Sequence, residues 1–175
     1  MTQLIGFAIL AIFPICMVFA TFYDIFTMTI PNRITLALVV SYAVLAPLAG
    51  LDLATIAWSV GLAFIILAIG FGLFAFGVMG GGDAKLLAAS ALWFGTAFTG
   101  EYLIYASILG GFLTIAILIG RNLILPEAFL KIGWIMRLYD KKEGVPYGAA
   151  LGPAALIVFI DTPWVDFVTS GKLVG

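Results

Sequence analysis

Apolar residues in this chain come in long, nearly unbroken runs. They show neither the alternation of a half-buried strand nor the narrow stripe of an amphipathic surface helix. A helix needs about 20 apolar residues to cross the hydrocarbon, with about 17–25 covering the usual tilts. On that rule the pattern predicts about six membrane helices: Leu4 to Tyr23, Ile34 to Ala49, Ala54 to Val78, Ala84 to Phe98, Tyr102 to Gly120 and Tyr147 to Ile160. The fourth and sixth are short for a full crossing. They are expected to end against protein or a wet cavity, because irregular backbone is not tolerated facing lipid. No Lys or Arg precedes the first run and no small-residue cleavage site follows it, so it reads as a retained helix and not as a signal peptide. The expected fold class is all-α: a polytopic membrane protein in one domain, 1–175, with no linker or repeat.

The polar gaps set the orientation. Lys and Arg in short loops collect on the cytoplasmic side. With six spans, Arg33, Lys85, Arg121, Lys131, Arg137, Lys141 and Lys142 fall on one side and only Lys172 on the other. Both termini are therefore expected outside, in the manner of a bacterial inner-membrane protein. The longest connection, 121–146, carries five basic and three acidic residues and is expected to be cytoplasmic. Pro126 and Glu127 look like a helix start, and Glu127 with Lys131 is a favourable i,i+4 pair. That helix is expected either to lie on the membrane surface or to tuck against the bundle.

Composition agrees with the pattern and narrows the chemistry. Of 175 residues 64% are apolar and 10% charged, and the mean hydropathy is +1.23, far from soluble-domain values. There is no His, which removes Ser-His-Asp triads, His-ligated zinc and His proton shuttles. The single cysteine, Cys16, offers neither an intrachain disulfide nor a metal cluster, so no metal and no cofactor are expected. A net charge of −1 leaves no footprint for nucleic acid. Carboxylates, Lys, Tyr, hydroxyls and backbone remain.

Ionisable residues at the membrane-facing ends of apolar helices are costly and are functional candidates by default. Two stand out. Asp24 closes the first apolar run, and Asp83 follows Gly80-Gly81-Gly82 at the start of the fourth. Span count and charge count, made independently of these two, place both at the same depth on the same side. Two carboxylates that approach closely cannot both ionise, and a pair sharing one proton can serve as general base and general acid, as in aspartic proteases. The glycines would let a peptide approach the carboxylate. Spacing alone also fits Asp83 as a helix N-cap and Asp24 as a solvated residue paired with Arg33. The dipole of each aspartate's own helix favours Asp83 as the ionised base and Asp24 as the acid. Gly61, Gly70, Gly72, Gly77, Gly110 and Gly111 read as close helix-packing sites, and Cys16 as plain packing.

Three segments sharpen the picture. Asp24 followed by Ile30-Pro31-Asn32 resembles the first-aspartate motif of type IV prepilin peptidases; Gly80-Gly81-Gly82-Asp83-Ala84-Lys85 resembles their G-x-G-D segment; and Val145-Pro146-Tyr147-Gly148 is similar to the Pro-Tyr-Gly segment that opens their last helix. The likeness covers essentially the whole chain and is nearest to the short CpaA/TadV-type branch that serves Flp (tight-adherence) pili. It implies a membrane aspartyl endopeptidase that removes a short basic leader from a prepilin, just after a Gly, at the cytoplasmic face, with Asp24 and Asp83 as the catalytic pair. Gly80, Gly82, Lys85, Pro31, Asn32, Tyr147 and Gly148 would be substrate-binding or supporting residues. Each also has a structural reading, as a turn, cap, snorkelling lysine or interfacial anchor. Larger family members carry a Cys-x-x-Cys insert and also methylate the new amino terminus. Here about ten residues separate the first two spans and Cys16 stands alone, so no N-methylation is expected. Glu127, Asp140 and Glu143 would attract the basic leader, while the net +2 of their loop would equally attract anionic lipid. The implied partners are the prepilin, the bilayer and other pilus-assembly membrane proteins.

Other readings compete. A small ion or proton transporter would also use paired carboxylates near broken helices. A non-catalytic assembly subunit would keep the fold without the activity. A presenilin-like protease shares Tyr-Asp and G-x-G-D, but Pro153-Ala154-Ala155-Leu156 departs from its Pro-Ala-Leu signature.

Overall fold

A computed structural model describes residues 2–124, 126, 129 and 131–170. The described residues form helices only: α1 (Thr2–Thr27), α2 (Asn32–Leu48), α3 (Leu53–Ala75), α4 (Gly81–Gly120), α5 (Gly133–Tyr139), α6 (Gly148–Phe159) and α7 (Pro163–Ser170). Helices α1, α3 and α4 are long and apolar enough to cross a membrane, and α2 and α6 are shorter apolar helices. The chain is a polytopic membrane protein.

Three helix ends have identifiable causes. Asp52 caps α3: its Oδ1 accepts from the Thr55 N–H at 2.7 Å and its Oδ2 from the Thr55 hydroxyl at 2.8 Å. Those donors hold its exposed carboxyl below the usual range. At the other end of α3, Gly77, just past the C-cap residue Phe76, takes φ +70 while Val78 N–H bonds back to Leu73 O at 2.9 Å, closing the helix with a Schellman turn. Helix α1 ends on Met28, whose φ of +56 is unusual for a residue with a side chain.

The expected fourth and fifth spans follow one another without a loop as the two arms of α4, parted only at Gly95, with φ 57 and ψ −162. Side chains rarely adopt that backbone, so a glycine sits there. The chain doubles back at this point, because both ends of α4 reach the same end of the molecule. Asp83 in its first turn and the loop held by Arg121 at its last border one cavity. The arm before Gly95 is short, as its sequence foretold, and buried almost throughout.

Helix α6 packs between α1 and α4, with α2 and α3 flanking α4 and α7 against α1. An aromatic cluster ties them together: Phe13 stacks on Phe159 at 4.5 Å and meets Trp93 and Phe94 at 5.2 and 5.5 Å. Its indoles are satisfied by backbone, Trp93 Nε1 donating to Leu38 O at 3.0 Å and Trp164 Nε1 to Trp93 O at 2.5 Å. A Cβ on Gly6 would lie 3.2 Å from Val168, so α7 returns to the amino-terminal end of α1, opposite the aspartates. Helix α7 has no counterpart in the sequence reading, being too short to register in an apolar-run count.

Of the glycines expected to pack helices together, Gly70 meets Ala84 and Gly110 meets Tyr147, whereas Gly61, Gly72, Gly77 and Gly111 face open space. Cys16 packs against the core. The connection after α4 holds a seven-residue helix, α5, tucked against the end of α1. Trp134 packs edge-on to Phe26 at 5.3 Å, and Arg137 donates to Phe26 O at 2.8 Å. Of the expected Glu127–Lys131 pair, Glu127 lies outside the described residues, as does Lys172.

Candidate functional site

Asp24 and Asp83 come together. Helix α1 runs four residues past the expected end of its apolar run, which puts Asp24 inside the helix and not after it. Asp24 is 3% exposed and Asp83 7%, so neither is the solvated residue that spacing alone allowed. Arg33, the partner considered for Asp24, lies in a different concavity. Nor does Asp83 occupy the N-cap. Gly80 does, and Asp83 is the third residue of α4. From there its Oδ2 reaches back over Gly80, the position from which a capping-box carboxylate meets the cap N–H. Its Oδ1 is buried without a hydrogen-bond partner.

The partner of Asp24 comes from the far end of the sequence. Pro146 and Tyr147 lead into α6, and the N–H of Gly148 in its first turn has no carbonyl of its own helix to bond. It donates instead to Asp24 Oδ2 at 2.7 Å. Both carboxylates border one cavity, which the residue before Gly148, Tyr147, also lines. The amino-terminal end of α6 therefore faces the pair, a position that suits an anion. The pair thus meets the amino-terminal end of a third helix besides α1 and α4.

Close backbone packing holds the arrangement. A Cβ on Gly148 would lie 2.8 Å from Ile30 Cδ1 and 2.9 Å from Asp24 Oδ2, and a Cβ on Gly80 would lie 2.7 Å from Asp83 Oδ2. Ile30 also rests on Gly82, whose Cβ would come within 3.2 Å of it. Ile30 thus joins the Asp83 loop to the start of α6, a role the sequence reading passed over in favour of Pro31 and Asn32.

A cavity of about 460 Å³ opens beside the carboxylates, bordered by Met28, Met79 and Gly80 on one side and Glu143, Pro146 and Tyr147 on the other. Arg121 shapes that second wall. It is 8% exposed; its Nε donates to Leu138 O at 2.8 Å, and its Nη2 to Glu143 O and Gly144 O at 3.0 and 2.8 Å. Sequence counted Arg121 only as a topological charge.

The candidate residues separate into two groups. Gly80, Tyr147 and Gly148 stand with the aspartates, and Gly82 supports them through Ile30. Lys85 and Asn32 do not. Lys85 Nζ donates to Asn32 Oδ1 at 3.0 Å, and both face a concavity on the other side of α4. The reason is helical phase, since residues two apart on a helix point to nearly opposite sides. Pro31 is the N-cap residue of α2 and holds no place at the carboxylates.

Comparison with known proteins gives one finding. Residues 11–115, more than half the chain and including both aspartates, match the family described as the type IV leader peptidase family. Searches of curated proteins and of solved structures return no match.

Proposed function

The chain belongs to the type IV leader peptidase family, and from that premise we propose that it is an aspartyl endopeptidase using Asp24 and Asp83 to cut the leader from a prepilin. The observation that carries the reading is the pair itself: two buried carboxylates from helices α1 and α4 beside one cavity, at one end of an otherwise apolar bundle. The basic-residue bias supports reading that end as the cytoplasmic face of a bacterial inner membrane.

The chemistry follows from the donors. Asp24, held by the Gly148 N–H, is the carboxylate that takes a proton from water. Asp83, whose Oδ1 has no donor, holds the proton the pair shares. Hydroxide attacks the scissile carbonyl as Asp83 protonates its oxygen. The tetrahedral intermediate then collapses: one of its hydroxyls returns a proton to Asp83, the C–N bond breaks, and the amine leaves with the proton gained by Asp24. This reverses the own-helix dipole assignment.

The substrate's apolar helix lies in the bilayer with its leader junction at the depth of the pair. Glu143 on the cavity rim faces the basic leader. Asp140 is engaged locally, accepting from Lys142 N–H at 2.9 Å. With one cysteine, the enzyme cleaves without methylating. Co-expression with a leader-bearing prepilin, followed by mass spectrometry of the pilin, tests this. The expected product begins immediately after a Gly and carries an unmodified amino terminus; an intact leader contradicts the proposal.

A further inference from the structure

A second concavity, of about 670 Å³, lies between α2, α3 and α4, on the side of α4 away from the aspartates. Its walls are apolar, including Leu36, Val39, Phe64, Leu67 and Leu92. Leu36 and Phe64 are 62% and 67% exposed, so the groove is open sideways, toward lipid in a bilayer. Its polar lining gathers at one end: Asn32 and Arg33 in the first turn of α2, and Lys85 in the first turns of α4. No acidic residue lines it among the described residues. The Lys85–Asn32 hydrogen bond fixes the ammonium at this mouth, and the amino-terminal end of α2, which no side chain caps, adds its partial positive charge.

The geometry matches a lipid standing in its leaflet. Arg33 and Lys85 sit at the starts of their helices, at headgroup level. From Lys85 to Leu92 the groove descends along α4 by seven residues, about 10 Å at 1.5 Å per residue, within a leaflet whose hydrocarbon is about 15 Å deep. Basic pockets between membrane helices on the cytoplasmic side suit anionic headgroups. We propose that this groove binds an anionic phospholipid, with one acyl chain along Leu36, Val39 and Leu92 and its phosphate between Arg33 and Lys85.

The test is a native mass spectrometry titration of the purified full chain in neutral detergent, comparing phosphatidylglycerol with phosphatidylcholine of identical chains. Phosphatidylglycerol is expected to bind more tightly. In the double variant Arg33→Gln/Lys85→Gln the loss of two near-surface cations is expected to weaken it roughly 30-fold, to the level of phosphatidylcholine. Val39→Trp, which fills the groove at an exposed position and keeps both charges, is expected to lose bound lipid as well. Equal affinity for the two lipids, or a preference that survives the double variant, overturns the proposal. So does competition by millimolar glycerol phosphate without chains, which makes the mouth a free-phosphate site. Displacement of the lipid by an apolar prepilin segment whose binding ignores Arg33 and Lys85 makes the groove a substrate site and overturns it too.

Discussion

The backbone N–H of Gly148 donates a 2.7 Å hydrogen bond to Asp24 Oδ2, joining two residues separated by most of the chain. It gives the first turn of α6 its missing acceptor and gives a buried carboxylate its donor. Each group would otherwise be buried and unpaired, which is costly in an apolar bundle.

Gly148→Ala is the direct test of that contact. The added methyl would meet Ile30 Cδ1 and Asp24 Oδ2 at 2.8 and 2.9 Å, so α6 and the carboxylate must part. Cleavage is expected to fall roughly 100-fold, the order of loss that an ångström of misplacement produces, while membrane levels stay near wild type. A quantitative time course of prepilin processing measures it; an unchanged rate means the close approach is incidental.

Arg121→Gln removes a guanidinium that donates to three backbone carbonyls behind the cavity wall. Hydrogen bonds from charged groups are worth about 1.5–3 kcal/mol each, so a lower thermal midpoint is expected. Cleavage is expected to fall as well, since Glu143 and Gly144 lose their anchor. Arg121→Lys is expected to restore little, because an ammonium cannot span the fork.

At the opposite end of the bundle, Gly95→Ala forces a side chain into φ 57, ψ −162, with its Cβ 3.2 Å from Ser59 Oγ. A cost of about 1–3 kcal/mol is expected. It should appear as a lowered unfolding midpoint, without a change in the pH profile of whatever enzyme remains folded.

If the carboxylates work with one proton between them, cleavage must fail at low pH, where both are protonated, and at high pH, where neither is. A bell-shaped profile is expected, and its limbs belong to the pair as a unit. A single limb from acid to alkaline pH contradicts a shared proton.

The fold was legible in the sequence to the extent that hydrophobicity controls it. Apolar runs located α1, α2, α3, both arms of α4 and α6, and the short fourth and sixth runs correspond to the buried helices that carry Asp83 and the Gly148 N–H. Asp24 and Asp83 were legible because a carboxylate beside an apolar run is anomalous. What the chain alone did not reveal depends on contacts between distant segments. Arg121 looks like any topological charge until its carbonyl partners are seen. Ile30 is one more aliphatic residue until Gly82 and Gly148 close on it. Lys85 sits next to the G-x-G-D segment in sequence, yet helical phase carries it to the other side of α4. The roles proposed for the aspartates share this origin, since the helix end behind that proposal is α6, far away along the chain.

Both aspartates are expected to be required for cleavage. A leader-bearing prepilin co-expressed with wild type, Asp24→Asn or Asp83→Asn, with processing read as a gel shift at equal membrane levels, puts this to the test. Processing by wild type and none by either isosteric variant is the expected result. Normal processing by either asparagine variant contradicts the two-carboxylate account.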